Sequence, residues 1–468
     1  MPSLRSACLA LLLLAVSGSA QAPPRHGRFA PLDAALDRNA RELMLPGVSA
    51  ALMLRGRLVW TGARGWADIE GHRPVTPATV FNIASLTKPM TSVMLMQLVE
   101  QGRLSLDTPM QRFDPSFTDA RITVGHVLSM TSQSNPPGQA FAYDGNIYGQ
   151  LGSVLSGVTH QSLAQAFSAR LIAPLGLRQT TPGAVAANEP GLGAERIAHY
   201  RSINARLAVP YNIYGGVEPV ATIPPDPEPN AAANVVSTAR DYARFADEVM
   251  RGHLLRPATL QAMWTPVVTA SGERLPYAYG WYAETYRGHR LLYHYGYYDN
   301  AYSAVALVVP ERQLVFVALS NGAGLSGHSG IGPIETNALT CAVLVQFLDA
   351  TLPCAGPAAA NVARWRAHYA PPVPEIASDP ATLPRYAGSY RRPNGAEGQV
   401  LVDRRRLWWQ SSSGRFPLTQ IGPDRFVMKA DNRIMFFRFD ERGIATRIDA
   451  SYPGDAHVYA LPRMTPGT

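Results

Sequence analysis

Ser85 and Lys88 lie three residues apart in Ser85-Leu86-Thr87-Lys88, and apolar residues at helical spacing follow them: Met90, Val93, Met94 and Leu98, ending at Gly102. On a helix that spacing puts both side chains on one face. A neutral lysine so placed can take the proton of the serine hydroxyl, and the amino end of the helix favours the negative charge developing on oxygen. Lysine itself is scarce here: of 42 Lys and Arg residues, only Lys88 and Lys429 are lysine. Guanidinium keeps its proton, whereas a desolvated lysine can lose it, so a lysine retained among apolar neighbours is a candidate base. The competing reading is a capping serine beside a solvated lysine. Tyr143 and His294 each have an equally plain reading, as a packed aromatic and a strand histidine.

Other chemistries fail on spacing. Lys88 follows Thr87 and Lys429 follows Met428, so no phosphate-cradling loop ends in Gly-Lys. The 11 histidines form no His-Glu-x-x-His helix and no metal-ligand spacing, and no Gly-x-Ser-x-Gly elbow occurs. Gly322-Ala323-Gly324-Leu325-Ser326-Gly327 mimics a dinucleotide fingerprint, but its preceding strand reads as half of an antiparallel hairpin, so a loop is expected. Neither a metal nor an organic cofactor is expected. The net charge of +8 gathers into no basic run with interleaved aromatics, which excludes a nucleic-acid partner.

The elements around these residues read as an α+β domain. Helices are expected over 33–43, 84–99, 124–130, 147–157, 162–171, 237–251 and 335–349. A hairpin is expected over 48–60, and Val-rich strands at 304–309 and 314–319 flank a turn at Pro310-Glu311-Arg312-Gln313. Strands from both ends of this region make one antiparallel sheet with a helical cluster between them. A Pro- and Ala-rich linker spans 351–380. Short strands beyond it, with turns at Asp403-Arg404-Arg405 and 440–443, predict a small all-β domain over 381–468. Residues 1–22, with Arg5, an apolar run over 7–16 and Gly18-Ser19-Ala20, have the pattern of a secretory signal, so a secreted or periplasmic protein is expected. No later run is long enough for an integral membrane span. Cys8 would leave with the leader, and Cys341 and Cys354 would then pair or remain two buried thiols.

The motifs resemble those of the serine β-lactamase and penicillin-binding-protein superfamily, in the branch of class C β-lactamases, esterases and D-amino-acid peptidases. The similar segments are Phe81-Asn82-Ile83-Ala84-Ser85-Leu86-Thr87-Lys88-Pro89, Leu98 to Leu104, Phe141-Ala142-Tyr143, Asn234 to Asp241 and His294-Tyr295-Gly296, covering about residues 33–350. The resemblance implies a β-lactamase-like domain over 23–350 and a β-barrel or lipocalin-like tail. It implies Ser85 as the acyl-forming nucleophile, Lys88 as its base, Tyr143 as a second proton carrier and His294 where many relatives have lysine. Gly296 would let substrate lie against the strand, and the amides of Ser85 and Tyr297 would form the oxyanion hole. Two positions depart from the pattern. The segment Tyr143-Asp144-Gly145-Asn146 puts Gly145 in the asparagine position, with Asn146 able to replace it only through a bulge, and Gln133 stands where the family has glycine.

The expectation is an exported serine hydrolase acting through an acyl-enzyme on small esters or amides, with a small-molecule or peptide-like substrate and no stated oligomeric form. The alternatives are a D-amino-acid peptidase, DD-carboxypeptidase or β-lactamase, and a non-catalytic sensor or binding module of the same fold.

Overall fold

The computed structural model describes residues 27–213, 218–219, 228–298, 301–325, 338–353, 375–391, 397–411, 414–428, 433–451 and 459–464. The segment expected as a leader and most of the expected linker lie outside them. The described residues form two hydrophobic cores, the first running to Leu352 and the second beginning at Leu383.

A seven-stranded antiparallel sheet supports the first core. Its strands are β1 (Gly47–Leu54), β2 (Arg57–Asp68), β3 (Arg73–Pro74), β8 (Tyr282–Tyr286), β9 (His289–Tyr298), β10 (Tyr302–Val309) and β11 (Leu314–Ser320), in the order β3-β2-β1-β11-β10-β9-β8. The short strands β4 (Phe81–Asn82) and β7 (Val236–Ser237) pair with each other, as do β5 (Tyr211–Asn212) and β6 (Glu218–Pro219). Every residue of β10 and β11 is buried, so these runs are apolar on both faces because both faces are covered. The register tells the faces apart. Gly62, Ala50, Ala318, Val305 and Tyr295 follow one another across the sheet. A Cβ on Gly62 would lie 2.5 Å from Leu36 of α1 (Ala30–Glu42), so that face carries α1. His294 and Gly296 therefore point to the opposite face.

That opposite face meets the helices. α2 (Thr87–Glu100) is buried at every residue from Thr87 to Met96, with the buried hydroxyl side chains of Thr87, Thr91 and Ser92 each hydrogen-bonded to main chain. It packs against α5 (Leu151–Thr159), α6 (Leu163–Phe167) and α9 (Pro257–Met263). The remaining helices are α3 (Val124–Leu128), α4 (Gly145–Gly149), α7 (Ala194–Asn204), α8 (Ala239–Met250) against β1 and β11, and α10 (Ala338–Phe347) against α1. The single helix expected over 147–157 is two, because Asp144 caps an early start at Gly145 through the N–H groups of Asn146 and Ile147. α7 and α9 were not anticipated. The glycine-rich stretch at Gly322 enters a 3-10 turn over Ala323–Leu325, its later residues lie outside those described, and β11 before it is antiparallel to both neighbours.

The second core is enclosed by an eight-stranded antiparallel meander: β12 (Gly388–Arg391), β13 (Glu397–Asp403), β14 (Arg406–Ser411), β15 (Gly414–Gly422), β16 (Arg425–Met428), β17 (Arg433–Phe439), β18 (Ala445–Ser451) and β19 (Tyr459–Pro462). Met464 N–H donates to Ser389 C=O at 2.8 Å and Tyr390 bridges Arg463, which brings the two ends together into a near-barrel. Arg404 and Arg405 form the expected turn, both at positive φ (48° and 64°), the geometry of a tight hairpin. Tyr386, Tyr390, Phe426, Phe437 and Trp409 fill the interior, and a Cβ on Gly398 would lie 2.0 Å from the Trp409 indole. Trp409→Ala is therefore expected to cost this domain about 3–5 kcal/mol. Hydrogen exchange would show β13 and β14 losing protection while β10 and β11 keep theirs.

Candidate active site

Ser85 sits in a one-turn 3-10 helix, Ala84–Leu86, that leads directly into α2. Ala84 has φ +47°, a left-handed conformation that costs a residue with a Cβ about 1–3 kcal/mol, so its surroundings must hold it. Ala84 N–H donates to Asn82 Oδ1 at 2.8 Å, and the Tyr242 hydroxyl donates to Leu86 C=O at 2.9 Å. The segment 231–237 straps the turn from outside. Val235 C=O accepts from Ile83 N–H at 2.9 Å, and Ala231 C=O accepts from Thr91 Oγ1 at 2.7 Å. Pairing of Phe81 with Ser237 continues the same strap.

Lys88 is 1% exposed, and its Nζ donates to Ser85 Oγ at 2.8 Å and to Ala232 C=O at 3.0 Å. Its ammonium lies 5.0 Å from the Tyr143 ring centre and 5.6 Å from that of Tyr148. Burial pushes the Lys88 amine down to about 7, against the opposing pull of the Asp144 charge. At neutral pH a large share of Lys88 is thus the free amine that can accept a proton. The Tyr143 hydroxyl is hydrogen-bonded to Ser85, and burial raises its pKa beyond the ordinary phenol range, so it is a neutral phenol. Tyr148 from α4 donates its hydroxyl to Lys88 C=O at 3.2 Å, fixing the first turn of α2.

β9 closes the other side. The His294 ring lies 6.1 Å from that of Tyr143, but both its nitrogens are engaged: Nδ1 donates to Tyr295 C=O at 2.6 Å, and Nε2 accepts from the Tyr277 hydroxyl at 2.8 Å. Burial first, and the Lys88 charge second, push its pKa down to about 3. His294 is thus a neutral group behind Tyr143, at the strand position where the resemblance puts the lysine of many relatives. Gly296 is pinned by a contact inside the protein. A Cβ there would lie 2.4 Å from Ile83 C=O, so it is the protein's own backbone at the serine turn that requires glycine. Tyr297 follows on the same strand, half-buried. Asn146 is exposed, with its N–H on Asp144, and it is Gly145 that faces the lysine: a Cβ at 145 would have Lys88 Nζ as its one neighbour, at 3.7 Å. No bulge carries Asn146 inward. The Ala232 carbonyl, Tyr277, Tyr282 and Asp144 escaped the sequence reading; the tyrosine-rich run over 277–298 was the signal available for the rings, and a main-chain carbonyl leaves none. Among the described residues no cluster of His, Cys, Asp and Glu could hold a metal ion, and no helix is long and apolar enough to cross a membrane.

Residues 35–332 match the sequence pattern of the family described as Beta-lactamase. The chain belongs to the β-lactamase family. Esterase EstB of Burkholderia gladioli is 36% identical over 110 residues, which cover 22% of this chain and 28% of the esterase, just over a quarter of its length. Penicillin-binding protein 4* of Bacillus subtilis (strain 168) is 22% identical over 425 residues, 80% of this chain and 86% of that protein. The octameric penicillin-binding protein homologue from Pyrococcus abyssi has the same fold, with a TM-score of 0.56 at 19% identity over 92% of this chain and 98% of the other. Membership identifies the mixed domain and its antiparallel sheet as that family's fold.

Burying Lys88 has a measurable consequence. An unfolded lysine titrates near 10.5 and the folded one at about 7, so the unfolded chain binds more protons between those values and stability rises with pH across that window. Lys88→Met is expected to raise the unfolding free energy at pH 7 by on the order of 2–4 kcal/mol, a gain that fades as pH approaches that of free lysine. Equal urea midpoints for wild type and variant at pH 7 would refute the desolvated-amine description.

Proposed function

We propose that this chain is an exported serine hydrolase that acts on small activated esters through an acyl-enzyme at Ser85. The observation that carries the reading is the 2.8 Å contact between Ser85 Oγ and the amine of a fully buried Lys88. In its free form that amine takes the hydroxyl proton as Oγ attacks the ester carbonyl. The main-chain N–H groups of Ser85 and Tyr297 receive the oxyanion. Tyr143, a neutral phenol bonded to Ser85, hands its proton to the departing alkoxide and is re-protonated by Lys88. The alcohol leaves, and water then cleaves the acyl-Ser85 ester by the reverse proton path, releasing the acid and restoring the hydroxyl. Export is part of the proposal: the leader pattern over 1–22 supports it, as does Cys341, which is disulfide-bonded to a partner outside the described residues.

Gly145 supports esters over β-lactams. An asparagine there would offer its side-chain amide to the acyl-amide carbonyl of a substrate, and with glycine that hydrogen bond is missing. Such a bond to a neutral group contributes about 0.5–1.5 kcal/mol, roughly two- to tenfold in transition-state binding. Small esters have no such amide and lose nothing.

A fluorophosphonate is expected to label the wild type, not Ser85→Ala, and to label Lys88→Arg at a small fraction of the wild-type rate, because arginine accepts no proton. A Lys88→Arg variant that keeps most of the rate would remove Lys88 from the role of base. Comparing kcat/KM for p-nitrophenyl butyrate and a chromogenic cephalosporin tests the substrate class. The ester is expected to be the better substrate, and Gly145→Asn to improve the cephalosporin about two- to tenfold. Efficient cephalosporin turnover by the wild type would sink the ester assignment.

A further inference from the structure

The two departures from the family pattern, Gln133 and the pair Asp144-Gly145, meet in the fold. Gln133 Nε2 donates to Asp144 Oδ2 at 3.3 Å, while Asp144 Oδ1 accepts the N–H groups of Asn146 at 2.8 Å and Ile147 at 3.0 Å. The carboxylate is thus held at both oxygens, at the start of α4, between Tyr143 and the glycine that faces the Lys88 amine. Several groups surround that amine. Ser85 comes from the 3-10 turn, Tyr143 from the segment before α4, Tyr148 from α4 itself, the Ala232 carbonyl from the strap, and His294 from β9. The histidine is held neutral and the phenols are protonated, which leaves Asp144 as the anion acting on Lys88 among the described residues.

We propose that Asp144 is a positioning residue whose fixed negative charge sets the pH at which Lys88 becomes a base, with Gln133 locking that carboxylate in place. The proposal rests on the reading of Lys88 as the base for Ser85. The charge favours the ammonium, so it holds the onset of activity at a higher pH than burial alone would give and keeps the nucleophile quieter in acid. The family's asparagine would put a neutral amide beside the lysine; here glycine clears that space and the charge one residue earlier takes over.

The test is the pH dependence of fluorophosphonate labelling, from pH 5 to 9, in wild type, Asp144→Asn, Asp144→Ser and Gln133→Met, with Ser85→Ala as the blank. Asparagine and serine both cap helices and carry no charge, so they separate charge from capping. Both variants are expected to move the midpoint of the acid limb about one pH unit lower. Gln133→Met, which frees the carboxylate to turn towards solvent, should move it the same way by less. A midpoint that stays put or rises in variants with native circular dichroism overturns the proposal. So does a rate that collapses at every pH with the midpoint unmoved, since that assigns Asp144 to capping alone. Absence of labelling in the wild type would instead overturn the reading of Ser85 and Lys88, and this proposal with it.

Discussion

One ammonium-bearing side chain is buried in the first turn of a buried helix, and the arrangement around it follows from that. Lys88 cannot reach water, so its nitrogen must find acceptors inside the protein. Ser85 Oγ is one and the Ala232 carbonyl is the other. The second comes from a segment about 150 residues away, which explains why residues 231–237 are tied to the serine turn at Ile83, Thr87 and Thr91. Those ties also hold Ala84 in a conformation it would not choose alone. Desolvation thus makes the amine a base near neutrality and requires the scaffold that aims it. A protein freed of this lysine would be easier to fold, the usual exchange between stability and a poised site.

β9 shows how one strand serves the core and the site together. Alternation along a strand sends Tyr293 and Tyr295 to one face and His294 and Gly296 to the other. On the site face, a ring with no ionisable role and a residue with no side chain follow each other. The ring backs Tyr143, and the bare backbone lets the strand press on Ile83. Tyr277 and Tyr282 complete the support: the first occupies the histidine's remaining nitrogen, and the second stacks on Tyr143 at 6.4 Å between centres with planes 11° apart. The phenol next to the serine is thus held by aromatic contact from behind, and its hydroxyl points to Ser85.

How much of this was legible depended on distance along the chain. Ser85 and Lys88 share a helical turn, so their spacing alone placed them together. The hairpins at residues 48–60 and 304–319 were legible because turn residues separate runs of apolar and β-branched side chains. α7 was missed because its sequence, Ala194 to Asn204, is mostly polar and buries only a few positions. α4 was misplaced because its start is set by Asp144, a capping contact that apolar periodicity does not register. The acceptor at Ala232 is invisible in principle, since every residue has a carbonyl and only the fold chooses which one faces a lysine. The atom that requires glycine at 296, Ile83 C=O, is more than two hundred residues away and could not be named from sequence.

The pairing of β1 with β11 joins residues 48–54 to residues 314–320, nearly the whole length of the first domain. Such a contact has a large loop to close and forms late in folding. During synthesis Ser85 and Lys88 emerge early, and the turn that holds them can form locally. Their surroundings cannot: the strap follows about 150 residues later, β9 about 60 after that, and the strand that ties the sheet to its own beginning comes last. An unfinished chain therefore carries the serine and the lysine without the dry setting that makes the amine a base, and in water that lysine stays protonated. Topology acts here as a timing device, delaying the chemistry until the domain is complete.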